Sequence, residues 1–95
     1  MTAKIRVPAT IAKLIANLHP DLKKRVRMVM ETILAEPDVG KALKDELAGL
    51  LSYRVKRFRI LYRLGPDKEV EIVTIGPRRY IYEETFRLIS KGRGK

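Results

Sequence analysis

Ser52-Tyr53-Arg54-Val55-Lys56-Arg57-Phe58-Arg59-Ile60-Leu61-Tyr62-Arg63 is the stretch that decides the fold. Apolar and basic residues alternate along it, and the phase changes once, at Lys56-Arg57. Alternation with period two is the mark of a strand. A single phase change between two alternating runs is the mark of a hairpin. With Lys56 and Arg57 as a two-residue loop, Val55 faces Phe58, Tyr53 faces Ile60 and Leu51 faces Tyr62. Those pairs build an apolar face. Arg54 then lies across from Arg59 and, with Arg63, occupies the opposite, open face. Like charges placed opposite each other destabilise a sheet, so the pair points to an anion received there. Tight hairpins favour Asn-Gly or Asp-Gly at the tip. Lys56-Arg57 is neither, so a longer loop is the other expectation.

Working outward, Ile5-Arg6-Val7 reads as a short first strand closed by Pro8. Ile11, Leu14, Ile15 and Leu18 follow the spacing of a helix with one apolar stripe. His19-Pro20-Asp21 punctuates it, with proline suited to the first turn of the next helix. That helix places Leu22, Val26, Val29, Met30, Ile33 and Leu34 on one side and Lys23, Lys24, Arg25 and Arg27 on the other. It must stop near Glu36, because Pro37 disfavours helical geometry in the residue before it. Pro37 to Gly49 reads as a connector. Gly65-Pro66-Asp67-Lys68 has turn chemistry, and Val70-Glu71-Ile72-Val73-Thr74-Ile75 is a largely apolar strand ended by Gly76-Pro77. Tyr80 to Ile89 is expected as a short last helix. The predicted fold is α+β: a two-helix antiparallel hairpin on one face of a small, mainly antiparallel four-stranded sheet, in the order β-α-α-β-β-β. Residues 1–95 are expected to form a single domain.

Lys and Arg number 21 against 11 Asp and Glu, a formal charge of +10. Such an excess implies a polyanionic partner. With no cysteine, a disulfide framework and a thiolate zinc site are excluded. One histidine, His19, gives no expectation of a metal centre, and its place beside Pro20 suits a capping role. The N-terminal residues lack the apolar run of a signal peptide, and no stretch approaches the ~20 apolar residues that span a bilayer. A cytoplasmic protein without membrane contact, metal or small-molecule cofactor is expected.

The groups available for chemistry are Arg54, Lys56, Arg59, Arg78, Arg79, Tyr80 and Tyr82. Guanidinium groups take phosphate in a bidentate fork, and tyrosines offer a stacking surface and a titratable hydroxyl. The set suits RNA binding. It suits RNA cleavage if a tyrosine serves as base, since a nearby arginine lowers a phenol pKa from its ordinary value near 10. Arg78 or Arg79 pairing with Glu83 or Glu84, Tyr82 packing under the last helix, and Arg63 as a solvated strand residue are the structural alternatives. Tyr53 and Tyr62 fall in the core by phase. Lys23, Lys24, Arg25 and Arg27 read either as the wet face of a helix or as a grip on a large RNA.

Gly40-Lys41-Ala42-Leu43-Lys44, Leu47 to Val55, Phe58-Arg59-Ile60-Leu61-Tyr62 and Ile75-Gly76-Pro77-Arg78-Arg79-Tyr80-Ile81-Tyr82, in that order, resemble the RelE/ParE toxin superfamily, and its RelE-like mRNA interferase branch in particular. The resemblance departs from the common family pattern at Lys56-Arg57, where a Gly-Asp pair is usual, and at Pro77, where His or Lys is usual. It implies the toxin of a type II toxin–antitoxin pair, one that enters the ribosomal A site and cuts messenger RNA by attack of the 2′-hydroxyl, with no metal. Carried over by position, it implies Tyr82 as general base, Arg59 and Arg78 on the phosphorane, and Arg54 and Lys56 on the scissile phosphate. Lys23, Lys24, Arg27, Lys41, Lys44, Arg57 and Arg79 are the implied RNA and ribosome contacts. The implied partners are a cognate acidic antitoxin and a 70S-type ribosome carrying mRNA. Two other functions share the residues: a ParE-like toxin that acts on DNA gyrase without cutting RNA, and a basic RNA-binding module.

Overall fold

The computed structural model describes residues 4–77 together with Ile81 and Arg87. Strand β1 (Ile5–Arg6) leads into helix α1 (Ala9–Ala16) and helix α2 (Pro20–Ala35). Strands β2 (Lys41–Ala42), β3 (Leu51–Val55), β4 (Phe58–Leu64) and β5 (Val70–Pro77) follow. The sheet has five strands in the order β1-β5-β4-β3-β2, not the four expected. The added strand is β2, two exposed residues antiparallel to β3. The β1–β5 pair is parallel and every other pair antiparallel. The connector is also more ordered than its composition suggests, with 3₁₀ turns at Pro37–Val39 and Asp45–Leu47. Ile81 and Arg87 have helical backbone; the rest of the expected last helix lies outside the described residues.

The hairpin has the two-residue register. Val55 pairs with Phe58, Arg54 with Arg59, Tyr53 with Ile60 and Leu51 with Tyr62. In β5, Ile60 pairs with Ile75 and Leu61 with Thr74, but Tyr62 pairs with Ile72. Val73 is therefore the extra residue of a bulge, which keeps Tyr62, Ile72 and Val70 turned to one side. Both helices cover that side. Ile11, Val26 and Ile33 meet Val55, Ile60, Tyr62, Val70, Ile72 and Ile75 in one cluster. Each large aliphatic side chain buried there contributes about 1.5–3 kcal/mol.

His19 caps α2, as its position beside Pro20 suggests. Its Nδ1 accepts the Asp21 N–H at 3.2 Å. The helix ends at Ala35, one residue before Glu36, and Pro37 opens the next turn.

Tyr62, fully buried, ties the connector to the sheet. Its hydroxyl accepts the Gly40 N–H at 2.8 Å and donates to the Pro37 carbonyl at 2.9 Å. Only glycine fits at position 40: a Cβ there would sit 2.5 Å from the Tyr62 oxygen. Burial, foremost, pushes the Tyr62 phenol above its ordinary pKa, against the Gly40 N–H, which pulls it down. Because the folded-state value exceeds the unfolded one, the neutral phenol's contribution is complete below about pH 10 and is lost as pH rises through the folded-state value. Tyr62→Phe removes the hydroxyl partner of a half-buried N–H and carbonyl and should destabilise by about 1–3 kcal/mol. Urea midpoints measured from pH 8 to 11 should also lose the alkaline decline in the variant.

Candidate phosphate-binding face

The face away from the helices carries the arginines. The row Arg54, Arg59, Gly76 crosses β3, β4 and β5, and the row Lys41, Ser52, Leu61, Thr74 runs beside it. Arg6, Glu71 and Arg63 form a third row at the far end. The face is not open throughout. Leu61 is 0% exposed, and Ile81 packs over Gly76, 3.6 Å from where a Cβ would stand.

Charge is balanced at one end of this face and not at the other. Arg63 donates from Nε to Glu71 Oε1 at 2.6 Å, and this bond, foremost, holds the Glu71 carboxyl below its ordinary pKa. Arg6 adds to the lowering from the next strand. Arg63 is thus a surface ion-pair residue, 57% exposed.

At the hairpin end, Arg54 and Arg59 have no acidic partner among the described residues. They turn apart. Arg54, exposed, donates from Nε to the Lys56 carbonyl at 3.2 Å, toward the tip. Arg59, half-buried, donates from Nη1 to Ser52 Oγ at 3.1 Å, away from the tip. Its Nε is closed off from solvent and has no hydrogen-bond partner among the described residues. A buried donor left in this state costs about 1–3 kcal/mol, more for a charged group.

The tip itself is strained. Lys56 has φ 54°, a left-handed conformation uncommon for lysine. Among the described residues the other positive-φ non-glycines are Asp45 and Asp67, a residue type that tolerates it better. Lys56, Arg57 and Phe58 also line a groove of about 290 Å³ with His19, Asp21 and Leu22 from the start of α2.

Of the residues expected at the site, Arg54, Arg59 and Lys41 share one face, with Lys56 and Arg57 at its tip. Lys23, Lys24 and Arg27 belong to α2, which packs on the opposite side of the sheet, so the fold does not bring them to the arginines. Lys44 is exposed, next to the 3₁₀ turn at Asp45–Leu47. Arg78, Arg79 and Tyr82 lie outside the described residues. Ser52 was not expected at the site. Its signal was there: it alternates in phase with Arg54, and the register sets it diagonally from Arg59, within side-chain reach. Among the described residues there is no metal-ligand cluster and no helix long and apolar enough to cross a membrane.

A model of the ParE toxins of type II toxin–antitoxin systems matches residues 7–82. A chain of the toxin–antitoxin complex RelBE2 from Mycobacterium tuberculosis is 30% identical, covering 82% of this chain and 100% of its own, with TM-score 0.70. A chain of the archaeal RelE–RelB complex from Pyrococcus horikoshii, 22% identical over 82% of this chain and 97% of its own, has TM-score 0.67. A mutant Escherichia coli toxin RelE in the free state, 13% identical over 92% of this chain and 93% of its own, has TM-score 0.72. The last two show the fold. No curated protein matches the chain in sequence. The chain belongs to the ParE toxin family, within the RelE/ParE superfamily, and is a toxin of a type II toxin–antitoxin system.

Two stability changes follow from the hairpin. Arg54→Glu replaces a repulsive cross-strand pair with an attractive one and should stabilise by about 0.2–1 kcal/mol. Chemical denaturation at low and high salt should show the gain shrinking as salt screens it. At the tip, thermal melts should rank Lys56→Gly above wild type and Lys56→Val below it by about 1 kcal/mol or more, since a β-branched residue tolerates positive φ least.

Proposed function

We propose that this toxin is a ribosome-dependent endoribonuclease that cuts messenger RNA in the A site and so stops translation. The observation that carries the reading is the Arg54–Arg59 pair: two guanidinium groups set opposite each other with no acidic partner among the described residues, one with an unsatisfied buried Nε. A phosphate placed there supplies the missing charge. The likeness to a chain of a RelBE complex supports the same reading.

The reaction is attack of the 2′-hydroxyl on the adjacent phosphorus. The O–P bond forms, the bond to the 5′ oxygen breaks, and the leaving oxygen takes a proton. Arg54 and Lys56 hold the scissile phosphate. Arg59 and Arg78 meet the charge that develops on the phosphorane, one of them assisting the leaving oxygen. Tyr82 takes the 2′ proton. Each step uses side chains alone, without a metal. Lys41, Lys44, Arg57 and Arg79 extend the contact along the RNA, and Lys23, Lys24 and Arg27 offer ribosomal RNA a second basic surface across the sheet.

The charge of +10 calls for an acidic antitoxin as partner. Two of the solved relatives are complexes of a RelE with its RelB. A cytoplasmic site of action follows from a ribosomal target. The second reading, a ParE-like toxin acting on DNA gyrase, is favoured by the description of the matching family.

Incubation with translating ribosomes, followed by mapping of mRNA 5′ ends, decides between them. A-site cuts are expected. Arg59→Ala should slow them by about 10²–10³-fold and Tyr82→Phe by about 10²–10⁴-fold. Gyrase-dependent DNA breaks without mRNA cuts would establish the second reading, and wild-type cutting by both variants would refute the assigned site.

A further inference from the structure

The geometry points to Ser52 as the residue that orients Arg59, holding its guanidinium away from Arg54 and ready for an oxyanion. The inference rests on the reading of Arg59 as a phosphate-binding group, and on nothing further in the cleavage reaction.

A guanidinium presents two bidentate forks. One is the end, made by the two Nη groups. The other is the side, made by Nε and Nη2. Ser52 Oγ accepts from Nη1 at 3.1 Å. Nε is closed off from solvent and has no hydrogen-bond partner among the described residues, so the end fork is the one an anion can reach. Two parallel N–H donors of this kind match a phosphate edge in both spacing and direction.

Ser52 is itself well placed to hold a fixed position. It lies in β3, paired with Leu61 on one side and Lys41 on the other, and is 2% exposed. Its strand backbone and burial leave the hydroxyl little freedom. Arg59 sits two residues before Leu61, so the serine reaches it diagonally across the ladder. The bond also draws Arg59 away from Arg54, whose own Nε points to the tip. Among the described residues, no other hydrogen bond holds the Arg59 guanidinium against the repulsion of Arg54. Ser52 touches no reacting atom in this scheme and acts as a positioning residue.

The test reads the arginine directly. Full-length protein labelled with ¹⁵N is titrated with inorganic phosphate, and the Arg59 Nε–H resonance is followed. In wild type it should shift, saturably. Ser52→Ala should bind phosphate about two- to tenfold more weakly, the cost of immobilising one rotamer-rich side chain on binding. Ser52→Thr, which keeps the hydroxyl, should retain the wild-type affinity, and Ser52→Ala should have no further effect in an Arg59→Lys background. Steady-state cutting on programmed ribosomes should show the same order in kcat with KM little changed. Equal phosphate affinity in wild type and Ser52→Ala, or a wild-type Nε–H that phosphate does not move, would overturn the inference; the second needs no variant to fold. The outcomes separate from those of the cleavage reading. A Ser52-dependent phosphate shift without mRNA cuts supports this inference and removes that reading. Cuts with a fully active Ser52→Ala support that reading and overturn this one.

Discussion

The register of the β3–β4 hairpin is the constraint on which the rest depends. Side chains alternate with period two, so a slip of one residue would turn Tyr53, Val55, Ile60 and Tyr62 toward the arginine face and the arginines toward the helices. The helical stripe through Ile11, Val26 and Ile33 would then have no apolar surface to meet. A two-residue loop fixes the register only if its backbone closes tightly. Here it closes by placing Lys56 at positive φ. The strain at the tip and the facing of Arg54 against Arg59 therefore have one origin. Each is unfavourable locally, and both are held by the apolar pairs on the other side of the same strands.

Electrostatics then divides the arginine face. At the β1 end, Glu71 stands between Arg63 and Arg6, so cations there are balanced by the protein itself. At the hairpin end no carboxylate plays that part among the described residues. Two unit charges 4 Å apart repel by about 1 kcal/mol in water and about 4 kcal/mol at the effective dielectric of a protein surface. Arg54 and Arg59 reduce that by bending in opposite directions, onto the Lys56 carbonyl and the Ser52 hydroxyl. Both acceptors are neutral, so the charge is displaced and not cancelled. An oxyanion between the two strands would reverse the sign of the local interaction.

Much of this was legible in the residues. Alternation gave the hairpin, its register and its two faces, because burial on one side imposes a strict period. Helical spacing gave α1 and α2, and Pro20 and Pro37 marked their ends. Strand β2 was not legible. Lys41 and Ala42 are both exposed, so no hydrophobic pattern betrays the pairing with β3. The same holds for the hydroxyl clasp of Tyr62, whose partners at Pro37 and Gly40 are distant in sequence and are backbone groups with no side-chain signal. Composition also left open which face each cation occupies. A count of lysines and arginines has no direction, and only the packing of α2 reveals that Lys23, Lys24 and Arg27 lie across the sheet from Arg59.

Ser52 shows what separates a basic surface from a site. Charge alone attracts a polyanion over many orientations and supplies affinity without alignment. Stabilising a phosphorane requires donors fixed within a fraction of an ångström of where charge develops. A long arginine side chain has several rotatable bonds, and ordering it at the moment of binding opposes the interaction. A short buried hydroxyl on the neighbouring strand removes much of that freedom in advance, and it does so through a neutral group that leaves the positive charge intact. A carboxylate in the same place, as Glu71 is for Arg63, would order the arginine equally well but would already have satisfied it.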